Sequence, residues 1–172
     1  GKFSPMRLVH GDPKMSSTKS ILLEAGTIQL SQKSRLMEIR TFQTADEVAK
    51  EGPIFIADRI RENIARKGFF TMAISGGRTP WLMIRELAKE NLPWEIVFLF
   101  QVDERVAPDA HPDRNLTQLF KAIEGSKLVV RLNIFHMRVT AENLDEACDE
   151  YATHIRRITE NGKLDLIHLG LG

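Results

Sequence analysis

The chain has 172 residues, 42% hydrophobic and 27% charged, a size and mix suited to one globular domain with a full core. A net charge of +1 offers no general affinity for polyanions, so nucleic acid is not an expected partner. The single cysteine, Cys148, excludes an intrachain disulfide and a cysteine-rich zinc site, and no apolar run is long enough to cross a bilayer. The expectation is a cytoplasmic protein without membrane attachment.

Residues 1–35 are rich in Ser, Lys and Gly and poor in large apolar side chains; Lys2, Arg7, Lys14, Lys19, Lys33 and Arg35 outnumber Asp12 and Glu24. A flexible basic tail is expected there, with no helix-turn-helix or aromatic pattern to make it a nucleic-acid arm. Residues 36–172 then read as one α/β domain. A short strand is expected over Leu36–Phe42. Thr44 and Glu47 have capping-box spacing and open a helix with Val48, Ile56, Ile60 and Ile64 on its inner side. Pro53 should kink or restart that helix, and Gly68 should end it as a C-terminal cap.

Phe69–Ile74 is an apolar run of buried-strand type, broken by Ser75-Gly76-Gly77-Arg78-Thr79. Pro80 suits a first helical turn, with Thr79 as its capping hydroxyl, and Trp81, Met83, Ile84 and Leu87 continue at helical spacing. Strand, glycine turn and helix start together form a place where backbone N–H groups and the helix dipole favour an anion, most often a phosphate. The motif is neither the three-glycine dinucleotide fingerprint nor the lysine-bearing P-loop, and by itself it is equally a plain turn.

Ile96–Val102 is a second continuous apolar run, as in parallel strands buried on both faces. Asp103-Glu104-Arg105 stands at its end, followed by a loop to Arg114 and a helix from Asn115 to about Ile123. Leu128–Leu132 reads as a short strand. Thr140 is expected to cap a helix running to Glu160, with Leu144, Ala147, Cys148, Tyr151 and Ile155 inward and Cys148 an inert buried thiol. Leu164–Leu169 is a third apolar strand, leading into Gly170-Leu171-Gly172. With no helix after that strand, further chain is expected beyond Gly172.

Strands alternating with helices imply a right-handed, parallel sheet, whose ligands bind beyond the carboxyl ends of the strands. Three such ends carry Ser75–Thr79, Asp103–Arg105 and Gly170–Gly172. Brought together, they would offer N–H donors, a guanidinium able to clamp phosphate and the carboxylate pair Asp103 and Glu104, of which Asp103 could orient a hydroxyl, a water or a base. Alone, Asp103 and Arg105 read more readily as an ion pair closing a loop; their joint placement with the other two strand ends reverses that preference.

Ser75-Gly76-Gly77-Arg78-Thr79-Pro80, Val102-Asp103-Glu104-Arg105 and His111-Pro112-Asp113-Arg114-Asn115-Leu116, in this order, resemble the glucosamine-6-phosphate isomerase/6-phosphogluconolactonase family. Leu164-Asp165-Leu166-Ile167 through Gly172 resembles the start of its last signature. Arg105 is similar to the lactonase branch, because the deaminase branch typically has an aromatic there. The resemblance implies a Rossmann-like, doubly wound, mainly parallel sheet with helices on both faces. It also implies hydrolysis of 6-phosphoglucono-δ-lactone to 6-phosphogluconate in the pentose phosphate pathway, with no metal and no organic cofactor.

Carried over by position, Ser75, Gly76, Gly77, Arg78 and Thr79 would bind the phosphorylated substrate. Arg105 would be a second phosphate ligand, Asn115 would steady the loop beside them, and Asp103 would serve catalysis at the reacting end. The partner is then the small sugar phosphate alone, with the protein a monomer or a homodimer.

Two departures stand out. The family continues Gly-x-Gly into Asp-Gly-His, whose histidine is the general base, and none of His10, His111, His136, His154 or His168 takes that position. His111 reads as a surface loop residue and His168 as a core histidine. Arg78 also stands where the family commonly has a smaller residue. An aldose-ketose isomerase/deaminase and a non-enzymatic sugar-phosphate sensor are the competing readings.

Overall fold

The structure, a computed structural model, describes residues 27–28 and 39–170, and the chain divides into two units, residues 1–41 and 42–172. In the first, Thr27–Ile28 (β1) and Ile39–Arg40 (β2) form an antiparallel pair, Thr27 opposite Arg40. The strand expected over Leu36–Phe42 is therefore two described residues long and belongs to a two-stranded sheet of its own. The remainder of the expected basic tail lies outside the described residues.

The second unit opens as its capping box dictates. Thr44 Oγ1 accepts from the Glu47 N–H at 3.2 Å, and Ala45–Lys67 (α1) follows. Pro53 neither breaks nor restarts it: the helix runs 23 residues, with Pro53 buried on the inner stripe beside Ala49, Ile56, Ala57 and Ile60. The donor that proline removes is offset by packing on that face. Gly68, at φ 89°, ends the helix by donating to Ile64 O at 2.9 Å.

Phe70–Ile74 (β3), Arg78–Leu87 (α2), Val97–Gln101 (β4), Asn115–Ile123 (α3), Asn133–Phe135 (β5), Leu144–Ile158 (α4) and Leu166–His168 (β6) follow. The four strands are parallel in the order β5-β4-β3-β6. The chain moves outward from β3 through β4 to β5, then crosses back to place β6 on the other side of β3. That reversal makes the carboxyl end of β3 a switch point, where doubly wound sheets hold their ligands.

One core lies between the sheet and the first three helices. Phe70, Met72 and Ile74 of β3 and Val97 and Leu99 of β4 pack with Ile56 and Ile60 of α1, Met83, Ile84 and Leu87 of α2, and Leu119 and Ile123 of α3. Each large side chain fully buried here contributes roughly 1.5–3 kcal/mol. Gly52 lets α2 approach α1, since a Cβ there would come within 2.9 Å of Met83 Sδ. On the opposite face, Phe100 stacks on Phe135 at 5.0 Å between centroids and meets Tyr151 of α4 edge-on at 6.1 Å. Helices thus cover both faces, as the alternating pattern requires.

Three expectations are corrected. The helix after Thr140 starts at Leu144: Asn143 accepts from the Glu146 N–H, while the Thr140 hydroxyl turns to Asp109. Cys148 and Leu144 are exposed rather than inward, because α4 meets the sheet through Ala147, Tyr151 and Ile155 and leaves its first turn outside. Leu128–Leu132 is not a strand. Lys127–Val130 forms a 3-10 turn that buries Leu128 under the core, and the extended segment comes later, at β5.

At the amino ends of β3 and β6, a polar clasp joins them. Asp165 Oδ2 accepts from the Thr71 N–H at 2.8 Å and from Thr71 Oγ1 at 2.9 Å. Its Oδ1 lies 2.9 Å from Lys67 Nζ, and both side chains are more than nine-tenths buried. The Lys67 ammonium also sits 4.1 Å above the Phe69 ring.

Candidate functional site

Register brings the three strand exits together. Ile74 is level with Gln101 on one side and with His168 on the other. Val102 N–H donates to Ile74 O at 3.0 Å, and Ser75 N–H donates to His168 O at 3.2 Å. The turns after β3, β4 and β6 therefore leave one edge of the sheet side by side.

The turn after β3 needs its glycines for different reasons. Gly77 has φ 137°, a conformation that L side chains rarely adopt. Gly76 faces Asn115 so closely that a Cβ would come within 2.5 Å of its Cγ. Gly77, not Thr79, precedes the first helical residue: α2 starts at Arg78, Thr79 is second and Pro80 third. Proline fits there because the N–H groups of a first turn have no intrahelical partner to lose. Among the described residues, nothing accepts from the N–H of Gly76, Gly77, Arg78 or Thr79. Those donors and the α2 dipole form a cradle for an anion.

Ser75, buried at this turn, faces the other way. Its hydroxyl accepts from the Gly170 N–H at 2.9 Å and lies 3.5 Å from His168 Nδ1, tying the exit of β6 to that of β3. Burial pushes the half-buried His168 imidazole below its ordinary pKa, so the neutral ring is favoured. His111 is a loop residue whose Nδ1 accepts from the Asp113 N–H.

After β4, Asp103 and Arg105 stay open to solvent, at 47% and 70% side-chain exposure, with Arg105 Nε 4.0 Å from Asp103 Oδ2. At that distance and exposure the pair is too loose to close the loop. Asn115, the first residue of α3 and buried, donates through Nδ2 to Asp103 O at 3.1 Å and Oδ2 at 3.2 Å. Its carboxamide touches the Gly76 backbone on one side and the Asp103 carboxylate on the other. Arg78 is exposed at the cradle's rim. The arrangement offers N–H donors, two guanidinium groups and one held carboxylate, the equipment for a phosphate carrying hydroxyls. Among the described residues no three His, Cys, Asp or Glu side chains cluster as metal ligands.

What holds the loop is Glu104, which is not the second carboxylate of the crevice that the sequence suggested but is turned inward. Its side chain is fully buried. It accepts from Arg105 N at 2.7 Å, Asn115 N at 2.7 Å, Leu116 N at 2.9 Å and Gln101 Nε2 at 2.9 Å. Burial pushes its carboxyl up, but the bonds from Gln101 and the backbone outweigh it and leave the pKa below the usual carboxylate value. Arg114, with 3% of its side chain exposed, places Nε 3.3 Å from Glu104 and binds Ala107 O and Asp109 with the other end. Gln101 also accepts from Met137 N at 2.8 Å, and its backbone is clamped by the Tyr151 hydroxyl, which donates to Gln101 O and accepts from Gln101 N. The one available signal was a glutamine closing an otherwise apolar strand.

Residues 43–172 match the family described as glucosamine-6-phosphate isomerases/6-phosphogluconolactonase. The chain is 33% identical over 124 residues to a 6-phosphogluconolactonase of Synechocystis sp., covering 69% of this chain and 52% of that protein. The solved 6-phosphogluconolactonase of Thermotoga maritima is similar with a TM-score of 0.61 at 25% identity, over 74% of this chain and 56% of that one. That of Shewanella baltica OS155 shares the fold at 18% identity with a TM-score of 0.68, over 76% and 55%. The chain spans about half the length of these relatives. The motif order, the β5-β4-β3-β6 sheet and the match over residues 43–172 together establish that the chain belongs to the glucosamine-6-phosphate isomerase/6-phosphogluconolactonase family.

Proposed function

We propose that the chain supplies the phosphate-binding part of a 6-phosphogluconolactonase, an enzyme that hydrolyses 6-phosphoglucono-δ-lactone to 6-phosphogluconate in the pentose phosphate pathway. The observation that carries the reading is the row of free N–H groups from Gly76 to Thr79 at the start of α2, one strand away from Arg105. In this reading Gly76, Gly77, Arg78 and Thr79 bind the phosphate through backbone donors, with the Arg78 guanidinium at the rim. Arg105, unencumbered enough to swing, takes a second pair of phosphate oxygens. Asp103, held by Asn115, faces the sugar end and orients a hydroxyl or a water there. Ser75 contributes by placing the turn after β6 rather than by touching substrate. Similarity to 6-phosphogluconolactonases supports the lactone as substrate, and an arginine at 105 favours it over an amino-sugar phosphate.

Arg105→Ala tests the reading. Removing a charge-assisted contact is expected to weaken 6-phosphogluconate binding by roughly 1.5–3 kcal/mol, about ten- to a hundredfold, in a calorimetric titration. Unchanged affinity would remove Arg105 from the site. Turnover of 6-phosphogluconolactone and of glucosamine 6-phosphate, measured side by side, separates lactonase from deaminase; activity on the amino sugar alone would overturn the assignment. Localisation in the cytoplasm belongs to the same proposal: no helix among the described residues is long and apolar enough to cross a membrane.

A further inference from the structure

Glu104 touches no open surface of the cradle, yet its geometry reaches both walls. It accepts from the first two N–H groups of α3, Asn115 at 2.7 Å and Leu116 at 2.9 Å, from eleven and twelve residues away in sequence. The position that would normally supply such a cap holds Arg114, which makes no side-chain capping bond and sends its guanidinium back to the same carboxylate. A serine or asparagine at 114 would cap α3 locally without burying a charge. A buried ion pair of this kind yields little net stability, because desolvating both charges offsets their attraction. What the arrangement supplies instead is direction. Four donors converge on one carboxylate and fix the α3 amino end against the exit of β4.

The residue so fixed is Asn115, and its side chain bridges the two parts of the site. It donates to Asp103 O and Oδ2, and its Oδ1 and Cγ lie in the space that a side chain at 76 would fill. A displacement of the Asn115 backbone therefore moves the support of the Asp103 carboxylate and the packing of the glycine turn together. Two neighbours anchor Glu104 from behind. Gln101 donates to Oε2 while its own side-chain oxygen is held by Met137 N, and Arg114 is pinned by Ala107 O.

We propose that Glu104 is a positioning residue: a buried carboxylate that sets the start of α3 so that Asn115 holds Asp103 and the Gly76-Gly77 turn in register for a sugar phosphate. The role in binding rests on the functional reading above, whereas the coupling from Glu104 to Gly76 does not. Glu104→Gln keeps the volume but turns an NH2 group toward two of the donors, so two of the four bonds and the ion pair are lost.

Wild type, Glu104→Gln, Asn115→Ala and the double variant are to be compared by calorimetry with 6-phosphogluconate and by amide NMR without ligand. Glu104→Gln is expected to weaken binding about tenfold and to shift the Gly76 and Gly77 amide signals, which Glu104 does not contact. In the Asn115→Ala background it is expected to cost no further affinity, because it acts through that side chain. A simple helix cap would move only Asn115, Leu116 and the melting temperature. Unmoved glycine signals, or losses of affinity that multiply across the two variants, overturn the proposal. Absence of binding by wild type would overturn the sugar-phosphate reading instead, and the glycine signals would still decide the coupling. If Glu104→Gln does not fold, Arg114→Lys releases one side of the carboxylate and carries the same comparison.

Discussion

Gly76→Ala probes the site with a single methyl group. The methyl would run into Asn115 Oδ1 and come within 2.5 Å of Cγ and 2.9 Å of Nδ2, far inside van der Waals contact. Asn115 cannot yield freely. It is 8% exposed, its side chain donates twice to Asp103, and its N–H is held by Glu104 at 2.7 Å. Either the carboxamide leaves, forfeiting two hydrogen bonds of which one is to a charged acceptor, or the turn shifts and the cradle distorts. The first route costs about 2–4 kcal/mol from the bonds alone. For a folded unit of this size that loss corresponds to roughly 10 °C in melting temperature. Urea unfolding and calorimetry with 6-phosphogluconate read both effects: lower stability, and affinity down by more than about tenfold. All three of the atoms that would clash lie beyond the Cβ of residue 115, so in an Asn115→Ala background the added methyl should cost almost nothing further. A Gly76→Ala protein with wild-type stability and affinity would refute the packing argument, and a full additional cost in the Asn115→Ala background would refute its cause.

Two further perturbations follow from groups away from the cradle. Asp165→Ala leaves the Lys67 ammonium buried and Thr71 without its acceptor, and is expected to cost about 3–5 kcal/mol in urea unfolding; a loss below about 1 kcal/mol would show that water reaches the clasp. Tyr151, the sole tyrosine, is pushed up to about 12 by burial, against which its bond to the Gln101 backbone works. Folding therefore favours the neutral phenol: that contribution is intact below about pH 10 and is lost as pH rises through about 12. Tyrosinate absorbance should titrate in the native protein well above its position in urea, and Tyr151→Phe should flatten the alkaline fall in stability. A native titration at the ordinary tyrosine pH would place the hydroxyl in water.

The elements written in short-range chemistry were legible. Thr44 with Glu47, Gly68 after Lys67, and the apolar runs before Ser75 and Asp103 each act within a few residues, and the structure has a cap, a stop and two strands there. Thr140 is misread in the sequence as the start of α4, because Asn143 carries a capping oxygen as well and only the distant Asp109 draws the Thr140 hydroxyl away. Helix periodicity suggested Leu144 and Cys148 as inward, but how far α4 extends past the sheet edge is a tertiary fact. The position of Gly77 ahead of α2 depends on one φ angle that the sequence does not carry. The inward role of Glu104, expected instead as a second carboxylate of the crevice, was illegible for a similar reason. A glutamate between an aspartate and an arginine reads as one more loop charge until the fold brings Asn115, Leu116, Gln101 and Arg114 around it. The glycine turn and Arg105 could be nominated because their chemistry is their own; the residues that aim them owe theirs to neighbours.

The crossover of β6 has a kinetic corollary. β3, β4 and β5 follow one another in sequence, but the bonds between Thr71 and Asp165 join residues 94 positions apart. Closing so long a loop costs on the order of 4 kcal/mol of chain entropy before any contact offsets it. β6 is three residues long and only partly covered, so it repays that cost slowly. It should be the last strand to dock during refolding and the first to release its amides to exchange. Each such opening frees Ser75 from Gly170, so one wall of the crevice would breathe on a timescale of its own while the glycine turn stays seated against α3.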